Sequence, residues 1–381
     1  MMPKGVPRSV RRERWAGRIA IIVGVLASVS PWSSAAERVT LTVYIRDNQI
    51  EVNWENRVFA AFEAANPDVE LDVVSNAGSD YTEKLATLWA AGTPPDVWDH
   101  GGQMASYDYK GWLMDLRPFI RRDFQSLDVQ DIFPGAWNAY ITPDHAWGLP
   151  FISAPTFMWY NVDLLEQAGL EPPPVDWNDR SWTFERMRED ARKLTRVDGS
   201  GNVMQYGLGI SASPYVDINI ARLGGGDWFN PEAWTTGIVR ETTFDSPENE
   251  AVYSKFIQLV HSDQVATRDA WGRWFNGTAA MVYGEGPWLV MGQTENIKFR
   301  WGMAPNPRSP ELATILYTDA WVISSRTQHP EEAWRFVRYM TGREVLEDYL
   351  TIGQYPPARR STLAAYLETM ARASGHHTPQ E

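Results

Sequence analysis

The sequence predicts an α/β fold with a mostly parallel sheet. Three observations carry that prediction: strand-period and helix-period segments alternate, the loops between them are short, and Gly, Pro or Asn marks most changes. Val39 to Ile45 (VTLTVYI) alternates Thr with apolar residues and reads as a strand. Glu51 to Asn66 reads as a helix, with Val52, Val58, Phe59 and Phe62 near a 3.6-residue period. Asn66-Pro67 stops it, because the residue before a proline is pushed out of the helical region. Val69 to Val74 is the next strand. Ser79 or Asp80 caps a helix from Tyr81 to Ala91, which Gly92 closes. Pro94 to Trp98 gives a short third strand. Farther on, helices are expected over Asp163–Ala168, Thr183–Thr195, Glu248–Asp263, Pro330–Met340 and Arg343–Leu350. Pro172-Pro173-Pro174 and Pro356-Pro357 read as loops or rigid turns.

Composition excludes several functions. The chain has 381 residues, no Cys, and 48 acidic against 35 basic residues, for a net charge of −13. Zero Cys removes disulfide scaffolds, thiolate metal sites, Cys nucleophiles and a lipid anchor on a lipobox cysteine. The acidic balance argues against a nucleic-acid binder, which must neutralise phosphates. Trp is the unusual entry: 19 residues, more than Tyr (15) or Phe (14).

Residues 1–36 read as a secretory signal peptide. Lys4, Arg8, Arg11, Arg12, Arg14 and Arg18 form a basic start, and Ile19 to Val29 is an apolar run too short to cross a bilayer. Ser34-Ala35-Ala36 then offers small residues for cleavage before Glu37. The remainder is expected to be exported, more acidic still, and not lipid-anchored.

Familiar catalytic signatures fail. Gly207-Leu208-Gly209-Ile210-Ser211-Ala212 fits a dinucleotide fingerprint on paper, but Pro214 follows at once and no clear βαβ unit holds it. Asp198-Gly199-Ser200-Gly201-Asn202 starts like a calcium loop, yet Val203 and Gly209 stand where Gly and a bidentate Glu are required. A hairpin turn explains it better. No H-E-x-x-H, G-x-S-x-G or P-loop occurs. No cofactor or metal is expected.

A longer pattern runs from Ala90 to about Arg359: AAGTPPDVWD, GWLMDLRPFI, FPGAWNAY, WGLPF, WYNVDLLEQAGLEPPPVDW, DGSGNVMQYGLG, FNGTAAMVYGEGPW and HPEEAWRFVRYMTG, in that order. This resembles the extracellular solute-binding proteins of sugar ABC importers, the family of maltose-binding protein. The run YN-x-DLL-x3-GL-x-PP is its most specific part, followed by NG-x-x-AM…GPW. The resemblance implies a periplasmic-binding-protein-like fold of the second type, with two α/β lobes, a hinge and a ligand cleft between them. It implies discontinuous lobes: 37–152 plus 306–345, and 153–305 plus 346–381. Crossings would lie near Phe151–Thr156, Met303–Arg308 and Val345–Tyr355. Its implied partners are a carbohydrate and the permease subunits in the inner membrane, with a monomer in the periplasm.

A pyranose offers apolar C–H faces and a rim of hydroxyls. Indole supplies a flat face of negative potential, carboxylates accept strong charge-assisted bonds, and Arg or Asn donates in forks. Candidate ligand contacts sit on loops at strand ends and helix starts. They are Asp47 and Asn48 after the first strand, Tyr81 opening a helix, Trp98 and Asp99 ending the third strand, and Asp227-Trp228 after a glycine run. By the resemblance, Trp288 of GEGPW is the stacking platform. Asp319 and Trp321 stand where relatives often carry a glycine-rich strand end, and Arg359 completes the set. Trp271 and Trp274 read as packing. Two other functions stay open: a periplasmic carbohydrate-active enzyme working through a carboxylate pair, and a binding protein for a polyamine, peptide or phosphodiester.

Overall fold

The structure is a computed structural model that describes residues 38–46, 49–76, 80–100, 103–236, 239–290, 296–352 and 355–374. The expected signal peptide, Asp47 and Asn48 therefore lie outside the described residues. No helix among the described residues is long and apolar enough to cross a membrane.

The strands in chain order are β1 (Val39–Arg46), β2 (Val69–Asn76), β3 (Val97–His100), β4 (Gly148–Pro150), β5 (Ala154–Pro155), β6 (Phe157–Asn161) and β7 (Arg196–Val197). They continue with β8 (Val203–Ile210), β9 (Ala266–Thr267), β10 (Ala279–Glu285), β11 (Trp301–Ala304), β12 (Leu316–Tyr317) and β13 (Ala320–Ile323). They form two mixed sheets. The first has the order β2-β1-β3-β13-β4, and β13 runs antiparallel to both β3 and β4. The second has the order β11-β6-β10-β8-β7, with β9 beside β8. A short antiparallel ribbon pairs β5 with β12, Tyr317 facing Ala154.

Strand alternation explains the cores. In β1, Leu41, Val43 and Ile45 point into one cluster with Trp54, Phe62, Trp321 and Phe336, while Tyr44 points into a second with Tyr81, Trp98 and Tyr107. The first sheet is thus buried on both faces, as parallel sheets usually are. The second sheet repeats this arrangement. Met158 and Tyr160 of β6 join Leu208, Ile210 and Phe256 on one face, and Trp159 joins Trp274, Val282 and Trp301 on the other. Ala304 and Ala313 pack in the second sheet's core, whereas Leu346 and Tyr349 pack in the first's. Tyr366 and Met370 of the last helix return to the second.

The glycines of β8 have a packing role. A Cβ at Gly207 would lie 2.0 Å from Ala191 O, and one at Gly209 would lie 3.0 Å from Ala270 Cα. Their absence lets two helices approach the strand. The Asp198 loop is a turn: its Oδ1 accepts from Ser200 N at 2.8 Å and Asn202 N at 2.9 Å, and Gly201 has φ +85°.

Candidate functional site

A cavity of about 590 Å³ is lined by loops from both sheets, a volume within the usual range for small-molecule sites. One wall comes from the first sheet: Arg46 ends β1, and Thr318 and Asp319 lead into β13. The opposite wall is built at the carboxyl ends of three mutually parallel strands. Ser211 to Val216 follow β8, Arg268 to Trp271 follow β9, and Glu285 to Trp288 close β10. Carboxyl ends of strands are where open α/β sheets place ligands.

The second wall is aromatic. Trp271 is 40% exposed and Tyr215 is 51% exposed. Trp288 meets Tyr317 edge-on with ring centres 4.5 Å apart, and Tyr317 meets Tyr215 at 5.1 Å. Burial, with Glu285 and Tyr215 close by, pushes the Tyr317 hydroxyl far above the usual tyrosine range, so it stays neutral and able to donate. The two indole nitrogens are both taken up by one carboxylate. Trp271 Nε1 donates to Glu285 Oε1 at 3.1 Å, and Trp288 Nε1 donates to Glu285 Oε2 at 2.6 Å.

The first wall is ionic. Arg46 Nη2 donates to Asp319 Oδ2 at 2.6 Å and to Asp99 Oδ2 at 3.0 Å. Burial acts to lower its pKa, but Asp319, Asp99 and Glu51 outweigh that and hold the guanidinium well above its ordinary value. Glu51 shows the converse. Burial raises its carboxyl, and Arg46 only partly offsets this. Across the cavity, Arg268 Nη2 lies 3.3 Å from Asp217 Oδ1. Each guanidinium that lines the cavity is thus matched by carboxylates. Ser211 Oγ, in the cavity lining, is buried and has no hydrogen-bond partner among the described residues.

Of the residues expected from sequence, Trp288 and Asp319 line this cavity. Asp99 and Tyr81 stand behind it. Asp99 is 4% exposed and holds Arg46, and the Tyr81 hydroxyl donates to Asp99 O at 2.7 Å. The other described candidates lie away from this cavity. Trp98 is fully buried against Trp89 and Tyr107, and Trp321 is fully buried against Phe59, Phe151 and Phe336. Strand alternation turns both rings toward the helices instead of the cavity. Arg359 is 5% exposed, and its guanidinium is spent on Thr341 O at 2.9 Å, Leu127 O at 3.1 Å and Asp131 at 3.3 Å. Asp227 and Trp228 belong to a separate aromatic loop: Asp227 pairs with Arg222 at 2.6 Å, and Trp228 Nε1 donates to Tyr253 at 2.5 Å. Neither lines the cavity.

Sequence reasoning missed Arg46, Tyr215, Arg268, Glu285, Tyr317 and Tyr355, and assigned Trp271 to packing. Most of these lie at the end of a strand or just beyond it. Position after a strand was therefore a usable signal, and residue type alone was not. Trp274, one helical turn from Trp271, is fully buried.

Known proteins match this chain in sequence and fold. The family described as bacterial extracellular solute-binding protein matches residues 48–347. The maltodextrin-binding protein MdxE of Bacillus subtilis is 26% identical over 333 residues, covering 82% of this chain and 71% of that protein. The erythritol/L-threitol-binding protein of Mycolicibacterium smegmatis is 26% identical over 366 residues, covering 82% and 72%. Among solved structures, the ABC substrate-binding protein Lmo0181 of Listeria monocytogenes, in complex with cycloalternan, superposes with a TM-score of 0.73 at 24% identity, over 87% of this chain and 83% of that one. The two-sheet fold is the second type of periplasmic binding protein. With a match that spans most of its length, this chain belongs to the bacterial extracellular solute-binding protein family.

Proposed function

We propose that this protein captures a neutral sugar or polyol outside the inner membrane and delivers it to an ABC permease. The observation that carries the reading is the asymmetry of the cavity. One wall is lined by the aromatic residues Trp271, Trp288 and Tyr215, and the other by the coupled Arg46 and Asp319. A sugar ring has both surfaces such a cavity needs, C–H faces for the aromatics and adjacent hydroxyls for the ion pair. The names of the maltodextrin-binding and erythritol/L-threitol-binding relatives and of the cycloalternan complex support the same ligand class.

The charge count favours a neutral ligand over a polyamine or phosphodiester. Arg46 and Arg268 stand beside Asp269, Glu285 and Asp319, and most of these groups already have a protein partner. The same commitments argue against an enzyme. Glu285 has both oxygens occupied, Asp319 is held by Arg46, and Asp269 caps a helix by accepting Gly272 N at 3.2 Å. None of them stands free as a general acid or base.

In this reading the lobes are discontinuous, and the chain crosses near Phe151–Thr156, near Met303–Arg308 and near Val345–Tyr355. A ligand that touches both walls biases the closed state, and the closed state is what docks on the permease. Micromolar capture corresponds to roughly −8 kcal/mol, within reach of a few ring contacts and charge-assisted bonds. In this reading the protein acts in the periplasm as a monomer without a lipid anchor.

The test is a titration of intrinsic Trp fluorescence with maltose, maltotriose, lactose, tagatose and erythritol, followed by analysis of the recovered sugar. A saturable change with intact sugar is expected. Cleaved sugar would replace capture with catalysis, and a response to spermidine alone would replace the ligand class.

A further inference from the structure

Glu285 is the last residue of β10 and is 3% exposed. Three of its oxygens each accept a different indole. Its main-chain oxygen accepts Trp159 Nε1 at 2.7 Å, Oε1 accepts Trp271 Nε1 at 3.1 Å, and Oε2 accepts Trp288 Nε1 at 2.6 Å. Trp159 is fully buried in the second core, so the strand end is anchored from behind. Trp271 and Trp288 belong to separate segments, one after β9 and one after β10, and both line the cavity. Among the described residues the carboxylate is the one group that accepts a hydrogen bond from both rings.

We infer that Glu285 is a positioning residue that sets the spacing and tilt of the two indole faces, and through them selects which ligand outlines fit the cavity. The inference rests on the capture reading above. Its physics is simple. An indole held by packing alone can pivot about its side-chain torsions, whereas one N–H bond to a fixed acceptor removes that freedom. Bonds to a carboxylate are stronger than neutral ones, and a buried carboxylate is costly unless donors surround it, so anchor and rings stabilise each other. Gly286 makes the geometry possible, because a Cβ there would lie 2.0 Å from the Trp288 ring. The wall is then formed before the ligand arrives, which lowers the cost of ordering it on binding.

Two readouts test this. Glu285→Gln keeps the volume but leaves one carbonyl oxygen where two acceptors stood. It is expected to change the near-ultraviolet circular dichroism of the indole bands in the unliganded protein. It is also expected to weaken binding of the tightest of maltose, maltotriose, lactose and tagatose by about tenfold, the scale of a lost charge-assisted bond. In the Trp271→Phe/Trp288→Phe background neither ring has an N–H, and there Glu285→Gln is expected to leave affinity unchanged. An equal loss in that background would overturn the inference, because Glu285 would then be touching the sugar itself. So would an unchanged spectrum in the unliganded Gln variant. Because that spectrum needs no ligand, the inference is decided even if none of the four sugars binds, a result that would instead sink the capture reading. Should the Gln variant not fold, Trp271→Phe alone keeps a flat face and gives up one bond. An affinity at least threefold weaker is then expected, and an unchanged affinity would overturn the inference.

Discussion

Trp288 donates its indole N–H to Glu285 Oε2 at 2.6 Å, although the two residues are only three apart in sequence. The ring folds back over Gly286 to make this bond, so its polar edge is occupied by the protein while the residue lines the cavity. A ring committed in this way can offer a ligand only stacking.

Trp288→Ala should therefore weaken sugar binding by roughly tenfold or more, the scale of a lost aromatic contact, and lower the unfolding midpoint modestly, because the buried Glu285 Oε2 loses its donor. Calorimetric titration checks it. An unchanged affinity would remove this ring from the site.

Trp321→Ala should behave in the opposite way. The ring is fully buried among Phe59, Phe151 and Phe336, and truncating a core aromatic costs about 3–5 kcal/mol. Urea unfolding should show that loss. A variant of normal stability with selectively weakened binding would return Trp321 to the site.

Gly286→Ala tests the fold-back directly. The added methyl would meet the Trp288 ring at 2.0 Å, so the ring must swing off its bond to Glu285. Binding should weaken about as much as in Trp288→Ala, and near-ultraviolet circular dichroism should report the moved indole. Unaltered binding and spectrum would show that the ring does not need that position.

Glu51 supplies a pH prediction. Burial, with Asp99 and Asp319 nearby, raises its carboxyl above the ordinary value of 4.5, and Arg46 and the Tyr349 hydroxyl bond oppose this. A group with a raised pKa contributes its stability below the unfolded value and loses it as pH rises through the folded one. Glu51→Gln does not titrate, so its thermal midpoint should gain on wild type between pH 4 and pH 7. A difference independent of pH would contradict this account of Glu51.

The sequence showed the fold more clearly than the site. The bounds of helix Pro330–Met340 agree with the structure, and β1, β2 and helix Phe184–Leu194 fall within a few residues of expectation. Amphipathic periodicity is strong in each. β8 and β10 were harder to read. β10 is buried on both faces and shows no alternation, and the glycines of β8, which fit no nucleotide turn, serve close helix packing. The same double burial hid the site. Along β3 and β13 nothing in the sequence says which face of the sheet a Trp will occupy, so Trp98 and Trp321 looked as available as Trp288. Trp288 and Asp319, which line the cavity, were singled out through the resemblance, by the GEGPW motif for one and the strand-end position for the other. Arg46 and Glu285 were not, because their importance lies in partners distant in sequence: Asp319 for one and Trp271 for the other.

The most direct measurement is a crystal structure of the protein grown with the sugar that saturates the fluorescence change. The account predicts an intact sugar with a C–H face on Trp288 or Trp271 and hydroxyls within hydrogen-bond distance of Arg46 or Asp319. Sugar density elsewhere on the molecule, or a cleaved sugar in the cavity, would contradict it.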